Sequence, residues 1–223
     1  MEIDSLKSYD VPDFIIGKVK AKGILKLNPA QVNTVKAGLF EDKNMIVCTP
    51  TGSGKTLLAT FLISRKVKRS KVIYLVPLKA LANEKLREYT DMFKETDVKV
   101  AMSTGDFDSG SSYLNNYDLI IMTIEKLDSL LRHKAEWILN VRLLVVDEIH
   151  LLNDVSRGPA LEFVITMLRK LLKDQIRILG LSATIGNPKE LADWLDANVI
   201  VDYYRPVKLK KGIYLEGDIE FYE

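Results

Sequence analysis

Residues 45–59 read Met-Ile-Val-Cys-Thr-Pro-Thr-Gly-Ser-Gly-Lys-Thr-Leu-Leu-Ala, and this stretch decides the fold. Met45–Cys48 is an apolar run of strand character, and the residues after Thr56 have helical character. Strand, glycine loop, helix is the setting that a phosphate-binding loop requires. Gly52 and Gly54 allow the backbone to turn tightly, so that successive N–H groups and the helix start point at one anion. In that geometry Thr51, Gly52, Ser53 and Gly54 cradle the phosphates of a nucleotide. Lys55 reaches the β- and γ-phosphates, and the Thr56 hydroxyl ligates Mg²⁺. A bare Gly-x-Gly-Lys-Ser/Thr string arises by chance in roughly one chain of this length per hundred, and the flanking strand and helix make it rarer. Thr49 stands where the general pattern has glycine.

Outward from the loop, apolar runs alternate with helical segments. The runs are Met45–Cys48, Val72–Val76, Val98–Met102, Leu119–Met122, Leu143–Val146, Ile176–Leu181 and Val199–Val201. Several are continuous apolar blocks, as in strands buried on both faces. Helical patterning covers Leu57–Val67, Ala80–Phe93, Ile124–Arg132, Ala160–Leu172 and Pro188–Leu195. The rhythm predicts an α/β fold: a mostly parallel sheet of about seven strands with helices on both faces. Two helices precede it, near Pro12–Val19 and Pro29–Phe40, the second opened by an Asn28 cap and a first-turn proline. Ser103–Asn116, rich in Ser, Gly, Asp and Asn, is predicted to be a loop. The cations of Ser64–Lys71 read as a solvated helix C-terminus, which suits the helix dipole, with a nucleic-acid patch as the second reading.

The bulk numbers leave this reading standing. With 223 residues, 47 % hydrophobic and 28 % charged, the chain suits one large α/β unit or a small pair and shows no sign of disorder. Its 32 Lys and Arg against 30 Asp and Glu give a net charge of +2. That balance neither supports nor excludes nucleic acid, because backbone amides and a few cations suffice to hold a strand. A single cysteine, Cys48, excludes a disulfide framework within the chain and reads as a core residue. Neither a signal peptide nor an apolar run of the ~20 residues that span a bilayer is visible, which points to the cytoplasm.

The strand Leu143–Val146 runs directly into Asp147-Glu148-Ile149-His150. Two carboxylates at a buried strand end need partners. A Mg²⁺ shared between Thr56 and Asp147 supplies one, and Glu148 is then placed to orient and activate an attacking water. His150, just past the strand, is expected to couple this turn to another element. The long separation of Lys55 from Asp147 leaves room for several βα units between neighbouring central strands, with all these groups at the carboxyl ends. Ser182-Ala183-Thr184 ends the next strand and joins the same rim.

Lys55-Thr56, Asp147–His150 and Ser182–Thr184, in this order, resemble motifs I, II and III of the superfamily-two DExH-box helicases. The resemblance extends over nearly the whole chain and is closest to the archaeal Ski-like branch, the Hjm/Hel-type DNA helicases. Leu75-Val-Pro-Leu-Lys-Ala-Leu-Ala82 is similar to that branch's motif Ia and Ser103-Thr-Gly-Asp106 to its motif Ib. Thr123–Arg132 resembles the next strand-binding motif, and Arg157-Gly158 matches a typical pair. Leu181–Pro188 and Arg205–Leu209 are further shared wording.

The resemblance implies the first of two RecA-like domains. It implies ATP and Mg²⁺ as ligands, Gln31 as the residue reading adenine, and coupling through His150, Ser182 and Thr184. Contacts to single-stranded or forked DNA are implied for Pro77, Lys79, Thr104, Gly105, Thr123 and Arg157. Thr123 also reads as the cap of the following helix. The implied activity is 3′-to-5′ unwinding in repair and replication restart. RNA remodelling by the same motor, or a nucleotide-dependent docking module, are the alternatives. No Asn-Lys-x-Asp base-reading motif of a GTPase follows the loop. The expected division is a helical extension over 1–40, the RecA-like domain over 41–205, and over 206–223 the start of a linker toward a second RecA-like domain carrying the arginine finger. Such a fragment is expected to bind nucleotide weakly and hydrolyse it poorly.

Overall fold

The structure, a computed structural model, describes residues 1–105, 111–183, 185–207 and 210–222. A 3₁₀ segment, Ile3–Tyr9, precedes α1 (Asp13–Ala21) and α2 (Pro29–Lys36). The Asn28 cap is reciprocal. Asn28 Oδ1 accepts from the Gln31 N–H at 2.9 Å, and Gln31 Oε1 accepts from the Asn28 N–H at 3.0 Å. Such caps contribute about 1 kcal/mol.

The βα alternation follows as β1 (Asn44–Cys48), α3 (Lys55–Lys66), β2 (Lys71–Val76), α4 (Lys79–Phe93), β3 (Val100–Ser103) and β4 (Leu119–Thr123). It continues with α5 (Ile124–Arg132), β5 (Val141–Val146), α6 (Gly158–Leu172), β6 (Arg177–Ser182), α7 (Pro188–Leu195) and β7 (Ala197–Val201). These strands form one parallel seven-stranded sheet in the order β3-β4-β2-β5-β6-β1-β7. The α/β sheet expected from the sequence is therefore the fold.

The unbroken apolar runs follow from burial on both faces. Met45, Val47, Val72, Tyr74, Leu143 and Val145 point into one core, closed by α1 to α4. Ile46, Cys48, Ile73, Leu75, Leu144 and Val146 point into the other, closed by α5 to α7. Cys48 is fully buried, and burial pushes its thiol up to about 11. Native protein is therefore expected to resist thiol alkylation at neutral pH, with labelling appearing only on denaturation; rapid labelling of the folded chain would contradict this placement.

Two expectations need correction. The glycine-loop strand and the acidic strand are not neighbours, because β6 lies between them and pairs with both. Spacing along the chain does not encode that insertion. Ser103–Asn116 is not all loop: Ser103 closes β3, and Ser111–Asn116 forms a 3₁₀ segment, with 106–110 outside the described residues. In the stretch expected to be linker, Lys211–Leu215 (β8) and Asp218–Tyr222 (β9) form an antiparallel hairpin. Its Glu216-Gly217 turn has both residues at positive φ, as a two-residue hairpin turn favours.

Candidate functional site

The glycine loop leaves β1 at Thr49, whose N–H donates to Ser182 O at 3.1 Å and so joins the ends of β1 and β6. Thr49 does more than replace glycine. Its hydroxyl lies 2.6 Å from Ser53 Oγ and closes the loop across its base. Gly52 and Gly54 have φ of 80° and 84°, and a Cβ on Gly54 would meet Gln31 Nε2 at 2.4 Å. Gly54 also serves as the N-cap of α3 without any side-chain cap, so the amides at the helix start face the cradle. Lys55 Nζ donates to Thr49 O at 2.6 Å and to Pro50 O at 3.1 Å. Burial lowers the ammonium's pKa, and the nearby Glu148 and Asp147 carboxylates oppose that shift. The lysine and the acid pair thus share one electrostatic site, although the lysine opens α3 and the pair follows β5.

Gln31 is buried beside the loop, and its amide is partly spent. Besides capping α2, it donates from Nε2 to Gly54 O at 3.2 Å. One N–H and one lone pair remain by the valence of a primary amide.

At the end of β5 the Asp147 N–H donates to Leu75 O at 2.9 Å, and Tyr74 Oη donates to Asp147 Oδ2 at 3.2 Å. Burial, then the charge of Glu148, raise the Asp147 carboxyl above its ordinary pKa. Its native proton is held more tightly than in the unfolded chain. That contribution is present at low pH and is lost as pH rises through the folded-state pKa. Asp147→Asn is therefore expected to stabilise the chain, without nucleotide, by about 1 kcal/mol at pH 7. The difference should vanish as pH falls through the carboxylate range, and urea denaturation across pH reads it. An unchanged difference at low pH would contradict it.

Glu148 follows in the left-handed region, at φ 55° and ψ 48°. Such a conformation costs a non-glycine residue of order 1 kcal/mol and clusters at functional sites. Glu148 Oε2 is buried without a hydrogen-bonding partner, with His150 Nδ1 3.2 Å away but off hydrogen-bonding geometry. His150 Nδ1 also lies 3.3 Å from Ser182 Oγ. His150 thus touches both the acid turn and the end of β6; Thr184 lies outside the described residues. Oxygen donors for a metal are Thr56 and Asp147. Among the described residues no cluster of three or more His, Cys, Asp or Glu could hold one alone. Such a sparse set fits Mg²⁺, which takes one or two protein oxygens and fills the rest with phosphate and water.

Three side chains escaped the sequence reading. Lys85, buried on α4, donates to Glu88 Oε2 at 2.9 Å and to Thr56 Oγ1 at 3.5 Å. Its charge also lowers the Asp147 pKa. Tyr74 hydroxyl-bonds Asp147, and the Tyr89 hydroxyl lies 3.3 Å from Thr60 Oγ1. These residues wall the back of the site. The period of α4, which places 82, 85, 89, 92 and 93 on one buried face, hinted at Lys85 and Tyr89, and nothing hinted at Tyr74.

The other half of the same rim carries the remaining candidates. Pro77 and Lys79 follow β2, Thr104 and Gly105 follow β3, and Thr123 ends β4. Leu78 is the N-cap of α4 and makes no side-chain cap, so the first amides of the helix are available to an anion. A Cβ on Gly105 would lie 3.8 Å from Lys79 Nζ, so the Ia and Ib segments meet. Thr123 is buried and accepts from the Lys126 N–H at 3.4 Å; it is the cap of α5. Asp106 lies outside the described residues. Arg157 caps α6 and stands apart, at the turn after the acid pair, with its N–H donating to Asp154 Oδ1 at 2.8 Å.

The DEAD/DEAH box helicase pattern matches residues 28–191. The ATP-dependent DNA helicase Hel308 of Pyrococcus horikoshii is 47 % identical over 219 residues, covering 97 % of this chain and 30 % of that protein. Hel308 of Thermococcus kodakarensis is 45 % identical over 225 residues, covering 98 % of this chain and 19 % of that protein. The chain thus spans under a third of the relatives it matches. Among solved structures, the DUF1998 helicase MrfA superposes with a TM-score of 0.74 at 25 % identity, over 86 % of this chain and 33 % of that one. MrfA bound to DNA gives 0.73. The matched residues start at the Asn28 cap and run past Ser182, so they take in the glycine loop, the acid turn and both halves of the sheet's carboxyl rim. On that coverage, the chain belongs to the DEAD/DEAH box helicase family.

Proposed function

We propose that the chain is the ATP-binding motor domain of an ATP-dependent 3′-to-5′ DNA helicase acting at forked or single-stranded DNA in repair and replication restart. One observation carries this reading: the rim is divided. The loop, the acid turn and Ser182 occupy β1, β5 and β6, while Lys79 and Gly105 meet above β2 and β3. Nucleotide and strand then lie side by side on one sheet, joined by Tyr74 of β2 reaching Asp147.

In this mechanism Thr51, Gly52, Ser53, Gly54 and the start of α3 hold the phosphates. Lys55 leaves its loop carbonyls for the β- and γ-phosphates. Thr56 and Asp147 would hold Mg²⁺, which when bound would supply positive charge against the phosphates. Glu148 orients the attacking water and takes its proton. Gln31 meets adenine with the donor and lone pair that its other contacts leave. His150 carries the change at Glu148 to Ser182, with Thr184 in the same coupling element. Pro77, Lys79, Thr104, Gly105, Thr123 and Arg157 serve the DNA backbone, which such contacts position without reading sequence. Residues 1–40 form the helical extension with Gln31, 41–205 the RecA-like domain, and 206–223 lead toward a second RecA-like domain of the parent protein.

The test is strand separation by the parent protein on forked DNA and on RNA duplexes, beside ATP turnover by this chain alone. Preference for the DNA fork and poor turnover by the chain are expected. RNA unwinding without DNA unwinding, or robust DNA-stimulated turnover by these 223 residues, would contradict the reading.

A further inference from the structure

The opposite, amino-terminal rim of the sheet carries cations that this mechanism does not use. Arg65 and Lys66 end α3, Lys68 and Arg69 follow in the turn, Arg142 is near the start of β5, and Arg177 opens β6. All six line one cleft of about 620 Å³, and the acids beside them are Asp10 and Asp42. That volume lies within the range of ligand sites. Asp42 is paired with Lys66 at 2.9 Å, and Asp10 lies 3.8 Å from Arg65. The side chains of Lys68 and Arg69 make no ion pair or hydrogen bond among the described residues.

Arg177 is the most telling of the six. It is 4 % exposed; its Nε donates to Lys43 O at 2.7 Å and its Nη2 to Leu39 O at 2.8 Å. Its Nη1 is buried with no partner. A buried donor without an acceptor costs about 1–3 kcal/mol. Arg142 uses Nη1 on Leu139 O and Val141 O, which fixes its guanidinium at the cleft wall. A second cleft, of about 370 Å³, shares Lys68, Arg69, Ser70 and Arg142 with the first and adds Lys71 and one acid, Asp118, so the two form a continuous track in which cations outnumber carboxylates.

We propose that this track is a second nucleic-acid contact: a seat for phosphates, built around Arg177 and Arg142, that holds a strand's backbone along the amino-terminal rim. Guanidinium forks match phosphate oxygens. Lys68, Arg69 and Arg142 would meet the phosphates at the cleft surface, and Arg177 adds its buried charge beneath them. Two connected clefts suit a repeating phosphodiester better than one small anion. The identity of the polyanion rests on the motor reading; the chemistry of the cleft does not.

The experiment compares the wild-type chain, Lys68→Ser/Arg69→Ser, and a charge-matched control, Lys22→Ser/Lys36→Ser, whose lysines are exposed elsewhere. Binding of a labelled oligo-thymidine is followed by anisotropy over a range of salt. Thermal shifts with inorganic phosphate and pyrophosphate are read in parallel. The cleft variant is expected to bind the strand roughly tenfold more weakly, with a log–log salt slope shallower by about 1.4, since each single-strand phosphate contact contributes about 0.7. The control should match wild type. Strand binding equal in cleft variant and control would overturn the proposal. So would loss of the phosphate and pyrophosphate shifts alone, which would mark a small-anion seat. A fluorescent ATP analogue reports separately on the glycine loop: its failure to bind wild type would defeat the nucleotide reading and leave this one standing, and its affinity should be equal in all three proteins.

Discussion

In a form of the protein that turns over ATP, Glu148→Gln is expected to lower turnover by about 10²–10⁴ while leaving ATP binding intact. Glutamine keeps the shape of the side chain but cannot take a proton from water. Binding survives because the loop amides, Lys55 and Thr56 are untouched. The left-handed backbone at Glu148 supplies an internal control. Glu148→Gly should also abolish turnover, yet raise stability by about 1 kcal/mol, because glycine adopts that conformation without strain and the buried, unpartnered Oε2 is removed. A stable, active Glu148→Gln protein would remove Glu148 from the chemistry.

The largest stability effect is expected at Gly158. This residue starts α6, and a Cβ there would lie 2.3 Å from Leu152 O, 3.0 Å from Leu152 C and 3.3 Å from Leu151 O. These atoms belong to the Ile149–Asn153 backbone turn that follows the acid pair, so no flexible side chain can move aside. Alanine would gain roughly 1 kcal/mol in helix propensity. Overlap with fixed backbone outweighs that gain, and Gly158→Ala should lose about 3 kcal/mol in denaturant unfolding. Because the shifted turn carries His150, the contact with Ser182 should loosen too. Wild-type stability in Gly158→Ala would show that the turn yields easily. The glycine of the Arg157-Gly158 pair is thus explained by packing, whatever Arg157 does.

The parts legible in the sequence are those written in local spacing. Strand, glycine loop and helix at 45–59, the acid pair after β5, and the Asn28 and Thr123 caps each involve a few consecutive residues. The seven strands were legible because burial on both faces leaves uninterrupted apolar runs. What escaped depends on contacts between distant segments. The insertion of β6 between β1 and β5 is a matter of chain crossing, which periodicity does not record. Lys85 and Tyr74 looked like ordinary members of a helix and a strand until folding set one beside Thr56 and the other on Asp147. The Arg177 cleft gathers cations from four separate elements and leaves no run in the sequence beyond Arg65–Lys71. The β8–β9 hairpin did carry a local signal, two short apolar-bearing runs around Glu216-Gly217, that composition reading passed over.

The central claim is that Lys55, Thr56, Asp147 and Glu148 meet one Mg²⁺-bound nucleotide. Calorimetric titration of ATP into this chain tests it most directly, with and without Mg²⁺, for wild type, Lys55→Ala and Asp147→Asn. One ATP per chain is expected for wild type, with binding lost in Lys55→Ala and with its Mg²⁺ dependence lost in Asp147→Asn. Equal, Mg²⁺-independent binding by all three would mean that the loop and the acid turn do not share a ligand.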